Sequence, residues 1–120
     1  MNAKQELLDK MDETFLSIKC ASIDIEITYG VTKQIRLPLD YSPEQYNDFL
    51  SALDIEYNNG FGGQELFGRV WLTNDAWLER GEYDGSEWWN VKTLPNIHKE
   101  LFNKDIVICH ITGLPDDRRF

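Results

Sequence analysis

From Ile23 to Leu39 the chain alternates. Ile23, Ile25 and Ile27 are separated by Asp24 and Glu26, and Ile35, Leu37 and Leu39 are separated by Arg36 and Pro38, with Gly30 between the two runs. Side chains of an extended strand point to opposite faces in turn. A run that is apolar at every second residue therefore folds with one buried face and one solvated face. Two such runs around a glycine-bearing turn predict an antiparallel hairpin. Ile18 and Cys20 are out of phase with Ile23, which predicts a bulge near Ala21. Pro38 has no N–H to give to a ladder, so that end of the second strand belongs at a sheet edge.

The same period returns later. Leu66, Val70 and Leu72 alternate with Phe67, Arg69 and Trp71, and Asn74-Asp75 reads as a turn. Ala76 to Tyr83 and Glu87 to Thr93 follow as strands around Asp84-Gly85, completing a three-stranded meander. A two-residue turn there sets Leu78 opposite Val91 and Arg80 opposite Trp89, but also Glu82 opposite Glu87, an unfavourable pair. A longer turn that includes Ser86 removes the conflict and shifts every pair, so the register stays open. Neighbours in a strand face opposite ways, so Trp88 and Trp89 cannot both enter one core.

Helices frame these strands. Leu7, Leu8, Met11 and Phe15 make one apolar side of a helix over 3–14, with Asn2 and Gln5 as a capping pair. Ser42 as N-cap, Pro43 at the first helical position and Gln45 three residues on start a second helix, with Tyr41 and Tyr46 placed as a hydrophobic staple. Its stripe is Tyr46, Phe49, Leu50 and Leu53, and Glu44 and Asp48 share its outer side. Pro95 opens a short third helix to about Phe102, Ile106 to Ile111 reads as a strand covered on both faces, and Gly113 to Phe120 as a mobile polar tail. The expected fold is a single α+β domain over 1–112: a mostly antiparallel sheet, built of a hairpin, a meander and a C-terminal strand, with about three helices on one face.

Charge is distributed unevenly. Between Leu37 and Val91 eleven acids face only Arg69 and Arg80, so this segment alone accounts for the chain's net charge of −9, and it also holds all four tryptophans. An acidic surface repels phosphate and attracts basic proteins, which speaks against direct binding of nucleic acid. No apolar run is long enough to span a bilayer, and the first residues lack the apolar stretch of a signal peptide, so no membrane association and a cytoplasmic location are expected. Cys20 and Cys109 lie in apolar, strand-like surroundings and are expected to be buried free thiols.

No motif specifies a reaction. Gly60-Phe61-Gly62-Gly63 is neither a dinucleotide fingerprint nor a P-loop, and Asp54, Glu56 and Glu65 beside it would repel phosphate. It reads as a connecting loop, or as an adaptable loop presenting Phe61 at its tip. His98, His110, Cys20 and Cys109 show no metal-ligand spacing, and adjacency in a strand turns Cys109 and His110 apart, so neither a metal site nor a cofactor is expected. Acid-rich hairpins offer carboxylate pairs suited to glycoside hydrolysis, but no second constellation supports catalysis. The tryptophans serve as core filling, as a binding surface or, beside carboxylates and amides, as a platform for a sugar ring.

The run Gly62-Gly63-Gln64-Glu65-Leu66-Phe67-Gly68, followed by Trp71 and then Arg80-Gly81-Glu82-Tyr83-Asp84-Gly85-Ser86-Glu87-Trp88-Trp89, resembles small uncharacterised proteins of phages, prophages and mobile elements. The resemblance covers about residues 54 to 93. It implies no catalytic residue. It implies a setting in which small acidic inhibitors of CRISPR and restriction systems occur. The expected function is thus a non-enzymatic interaction protein that binds a basic protein surface through Phe61, Glu65, Trp71, Glu79, Glu82, Asp84, Glu87, Trp88 and Trp89. A carbohydrate- or small-ligand-binding module is the alternative, and an uncharacterised hydrolase comes third.

Overall fold

The computed structural model describes residues 1–28, 30–58, 63–95 and 101. Seven elements follow one another: α1 (Ala3–Thr14), β1 (Ile18–Thr28), β2 (Val31–Leu37), α2 (Pro43–Leu53), β3 (Leu66–Leu72), β4 (Ala76–Tyr83) and β5 (Ser86–Thr93). The fold is α+β, with two helices among the described residues. The expected third helix apart from Pro95 and Leu101, the expected strand at 106–111, the tail at 113–120, Phe61, His98, Cys109 and His110 lie outside the described residues.

Both helices begin where their side chains supply acceptors for free N–H groups. Asn2 Oδ1 accepts from Gln5 N at 2.9 Å. Ser42 Oγ accepts from Gln45 N at 3.1 Å while Gln45 Oε1 accepts from Ser42 N at 2.8 Å, a complete capping box. The Tyr41 and Tyr46 rings stack at 5.5 Å and fix the entry into α2. The end of α1 departs from expectation. Phe15 does not extend the apolar stripe; it adopts a left-handed conformation (φ 58°) that stops the helix, and it is 94% exposed.

The five strands form one antiparallel sheet in the order β2-β1-β3-β4-β5. β1 pairs with β2 on one side and β3 on the other, so α2 carries the chain past β1 to reach its far side. β2 is an edge strand that ends just before Pro38, as its missing N–H requires. The register shift lies between Ile18 and Cys20, earlier than the expected position near Ala21. The shift returns Ile18 to the core face, while Cys20, next to buried Ala21, alternates outward into the row of Trp71, so this free thiol is half-buried rather than buried.

One face of the sheet is apolar and covered. Ala21, Ile23, Ile25, Ile35, Leu37, Leu66, Val70, Leu72, Ala76, Leu78 and Trp89 pack there with Ala3 and Leu7 of α1 and Phe49 and Leu53 of α2 in a single core. The strand ends outrun it: Ile27 and Leu39 keep the alternation but are exposed. The β4–β5 turn is the two-residue one. Asp84 (φ 53°) and Gly85 (φ 86°) are both left-handed, the twist that two right-twisted strands require. Glu82 therefore does stand opposite Glu87. The conflict is relieved because the two carboxylates part: Glu82 stays exposed and accepts from Gly85 N at 3.3 Å, while Glu87 turns into the core.

Candidate protein-binding face

Every second side chain of the sheet points away from the helices. By register, Cys20, Trp71, Trp77 and Lys92 form one row across this outer face, and Arg36, Ser22, Arg69, Glu79 and Asn90 form the next. One step further, Asp24 pairs with Phe67, and Gly81 with Trp88. No described element covers these residues. Trp71 is 40% and Trp88 39% exposed, Phe67 and Tyr83 are exposed, and Trp77 is half-buried.

The rings are held by neighbours two positions away on the same strand, which share their face. Trp77 Nε1 donates to Glu79 Oε1 at 2.8 Å, and Arg69 Nη2 donates to the same oxygen at 2.8 Å. The Arg69 guanidinium lies 6.0 Å from the Trp71 ring centroid. Trp88 Nε1 donates to Asn90 Oδ1 at 2.9 Å. A Cβ at position 81 would stand 2.7 Å from Trp88 Nε1 and 2.8 Å from Cε2, so the indole lies across bare glycine backbone. These contacts fix the rings before any partner arrives, which lowers the ordering cost of binding.

The charge of this face departs from expectation. Its acids by register are Asp24, Glu26 and Glu79, and its bases Arg36, Arg69 and Lys92, so it carries no net charge. Asp24 pairs with Arg36 at 2.8 Å and Glu79 with Arg69 at 2.8 Å. Acids without an ion pair among the described residues lie elsewhere, including Asp9 and Asp12 on α1, Glu44 and Asp48 on α2, Asp54 after it and Asp84 at the β4–β5 turn, while Glu13 and Glu56 are paired with Lys10 and the N-terminal ammonium.

Two of the expected partner-binding residues lie on the opposite face, in the core. Trp89 is 3% exposed, and the Arg80 guanidinium stands 4.8 Å from its ring centroid. Glu87 is buried and serves as an internal acceptor. It takes N–H groups from Glu65 at 2.8 Å and Leu66 at 3.1 Å, and Arg80 Nη2 at 2.8 Å. Arg80 also donates to Glu6 Oε2 at 3.1 Å and to the Tyr57 hydroxyl at 2.8 Å, and that hydroxyl donates to Glu6 Oε1. One guanidinium thus joins α1, the segment before β3, β4 and β5. Burial opposes the charged Arg80, but its hydrogen bond to Glu87 and the charge of Glu6 outweigh it and raise its pKa. Burial, then the hydrogen bond to Glu6, pushes the Tyr57 phenol well above the usual tyrosine range.

Of the other expected residues, Glu65 is half-buried beside Glu87 and accepts from Asn58 N at 3.2 Å, while Glu82 and Asp84 are exposed at the end of the β4–β5 hairpin. Sequence reasoning did not place Phe67, Trp77, Tyr83, Arg69 and Asn90 in the site. The signal was present: Phe67, Arg69 and Trp71 share one phase of the β3 alternation, and the register carries that phase onto β4 and β5. Among the described residues no group of His, Cys, Asp and Glu is arranged to hold a metal ion, and no helix is long and apolar enough to cross a membrane. Comparison of the chain with protein-family models, with curated proteins and with solved structures found no match.

Proposed function

We propose that this chain is a non-enzymatic binding protein whose outer sheet face docks on a protein partner of net positive charge. The observation behind it is the set of three tryptophans, Trp71, Trp77 and Trp88, on a face that no described element covers, two of them with their N–H groups already bonded within the sheet. Uncovered aromatic surface of this kind marks interaction sites, and tryptophan is enriched among residues that dominate binding energy. The net charge of −9 acts at a different stage. It raises the encounter rate with a basic partner, and the rings then hold the complex. The narrower reading, an inhibitor of a host nucleic-acid-binding defence complex, is carried by the segment resemblance.

The test is capture from a host lysate at low and high salt, with wild type, Trp71→Ala/Trp88→Ala and Glu44→Gln/Asp48→Gln compared. The expected result is a basic protein retained by wild type, lost with the tryptophan variant, and captured more slowly by the α2 variant at low salt only. Retention by a folded tryptophan variant would overturn the proposal. A second reading, a sugar platform, is favoured by a shallow groove in which Trp71 stands beside Ser22, Asp24 and Arg69. A neutral sugar would bind there with almost no salt dependence.

A further inference from the structure

At the β5 border of the outer face, a groove of about 190 Å³ runs between the Trp88 and Trp89 indoles and the α1 side chains Glu6, Asp9, Lys10 and Glu13. The four α1 residues fall at helical spacing on one side of the helix. Their charges are unequally engaged. Both Glu6 oxygens are taken, one by Tyr57 and the other by Arg80. Asp9 Oδ1 accepts from Gln5 Nε2 at 2.8 Å, and Glu13 Oε2 accepts from Lys10 Nζ at 3.0 Å. Among the described residues, no donor within the chain reaches the second oxygen of Asp9 or of Glu13. The lining bases are both engaged: Lys10 is tied to Glu13, and the Met1 ammonium to Tyr57 O at 3.1 Å and to Glu56 at 3.5 Å. One wall of the groove therefore presents spare carboxylate oxygens and the other an indole.

From this pairing we infer that the groove receives an arginine side chain of the partner. The inference rests on the docking reading and names the chemistry that reading would recognise. Trp88 has its N–H bonded to Asn90, so what it offers outward is its π face and not a donor. A π face beside carboxylates attracts a cation. Guanidinium fits better than ammonium here, because it is planar, weakly hydrated and able to stack on the ring while two N–H groups reach the acids. The molecule contains a contact of the same type, with Arg69 over Trp71 and bonded to Glu79. The rest of the outer face has its acids matched by bases, so the α1–β5 border is where an added positive charge finds Asp9 without a base and Glu13 with an oxygen to spare.

The experiment uses the full chain and two synthetic peptides of equal length and charge, one with arginines and one with lysines spaced by glycine. Binding is read by tryptophan fluorescence and by the indole N–H resonances. The arginine peptide should bind on the order of tenfold more tightly and should move the Trp88 resonance. Trp88→Ala should remove that preference and Trp88→Phe should keep most of it. Read at high salt, Asp9→Asn/Glu13→Gln should still weaken the arginine peptide several-fold, while Glu44→Gln/Asp48→Gln on α2, which acts on encounter at low salt only, should leave it unchanged. Thermal melts of each variant separate lost binding from lost fold. Equal binding of the two peptides, a preference that survives Trp88→Ala in a folded chain, or equal weakening by the two acid variants would overturn the inference. If the peptides bind alike while Trp71→Ala/Trp88→Ala still abolishes partner capture, the docking reading stands and this inference fails. If capture also survives, both fail.

Discussion

Arg80 on β4 and Glu87 on β5 are bonded diagonally across the hairpin at 2.8 Å, with side chains only 3% and 0% exposed. Directly opposite Arg80 stands Trp89, so the guanidinium lies over the ring and reaches past it to the carboxylate. Arg80→Ala would leave Glu87 and Glu6 in the core without their cation. The expected cost is about 3–5 kcal/mol, read as a fall in the urea midpoint. Glu87→Gln should cost less, on the order of 1–3 kcal/mol, since one amide oxygen can still accept from Leu66 N. Replacing both by apolar residues should not restore stability, because the Glu65 and Leu66 N–H groups would then lose their acceptor. Wild-type stability in that double variant would show the cluster to be dispensable.

Gly81 and Trp88 should behave as a coupled pair. In Gly81→Ala the added methyl meets the Asn90 amide at 2.5 Å and the indole at 2.7 Å, so the ring and the amide it is bonded to must lift from the strand together. Tryptophan emission should shift to the red and quencher access should rise, with a stability loss on the order of 1–2 kcal/mol. In a Trp88→Ala background the same substitution should cost much less, a non-additivity measurable in a double-mutant cycle. Additive effects would mean that the ring does not rest on the glycine.

The two adjacent tryptophans should separate stability from binding. Trp89→Ala empties a core position and should lose about 3–5 kcal/mol. Trp88→Ala should lose far less stability but about 2 kcal/mol of partner affinity. Equilibrium denaturation beside calorimetric titration of the captured partner checks both. The reverse pattern would move the docking surface off the outer face.

Alkaline pH should expose Tyr57. Its phenol is held neutral by burial and by its bond to Glu6, so its folded pKa lies above the unfolded one. Its share of stability is intact below the unfolded value of about 10 and is lost as pH rises from there toward the folded value. Tyr46, raised by burial and by Tyr41, contributes in the same direction. Tyr57→Phe should be less stable at neutral pH, having lost two hydrogen bonds, yet its stability should fall less steeply above pH about 10. Urea midpoints across that range give the two slopes. Parallel slopes would mean that the phenol ionises freely in the folded chain.

What the sequence made legible is local. The helix bounds follow from Asn2, Ser42, Pro43 and Gln45, whose cap bonds join residues three apart. The edge position of β2 follows from Pro38, and the division of Trp88 from Trp89 follows from strand alternation. What stayed hidden depends on distance along the chain. Glu6 and Arg80 are 74 residues apart, and nothing near either one announces the other. That pairing, with Glu87, decides which tryptophan turns inward. The placement of charge is hidden in the sequence for a related reason. Counting acids along Leu37–Val91 merges the α2 surface, the segment after it, a turn, a core residue and an outer face that only the fold separates.

The buried Glu87 also answers a problem that two consecutive tryptophans create. A β5 strand slid by one residue would put Trp88 inside and Trp89 outside, and a core that accepts one indole has little reason to refuse another. The slide would carry Glu87 to the outer face as well. The Glu65 and Leu66 N–H groups would then be stranded, and Arg80 would have one carboxylate where it now has two. Hydrophobicity leaves the two alignments nearly degenerate, and the ionic cluster breaks the tie. In this hairpin the charge selects among states of the chain as well as holding the chosen one together, and conformational heterogeneity in Glu87→Gln would be its signature.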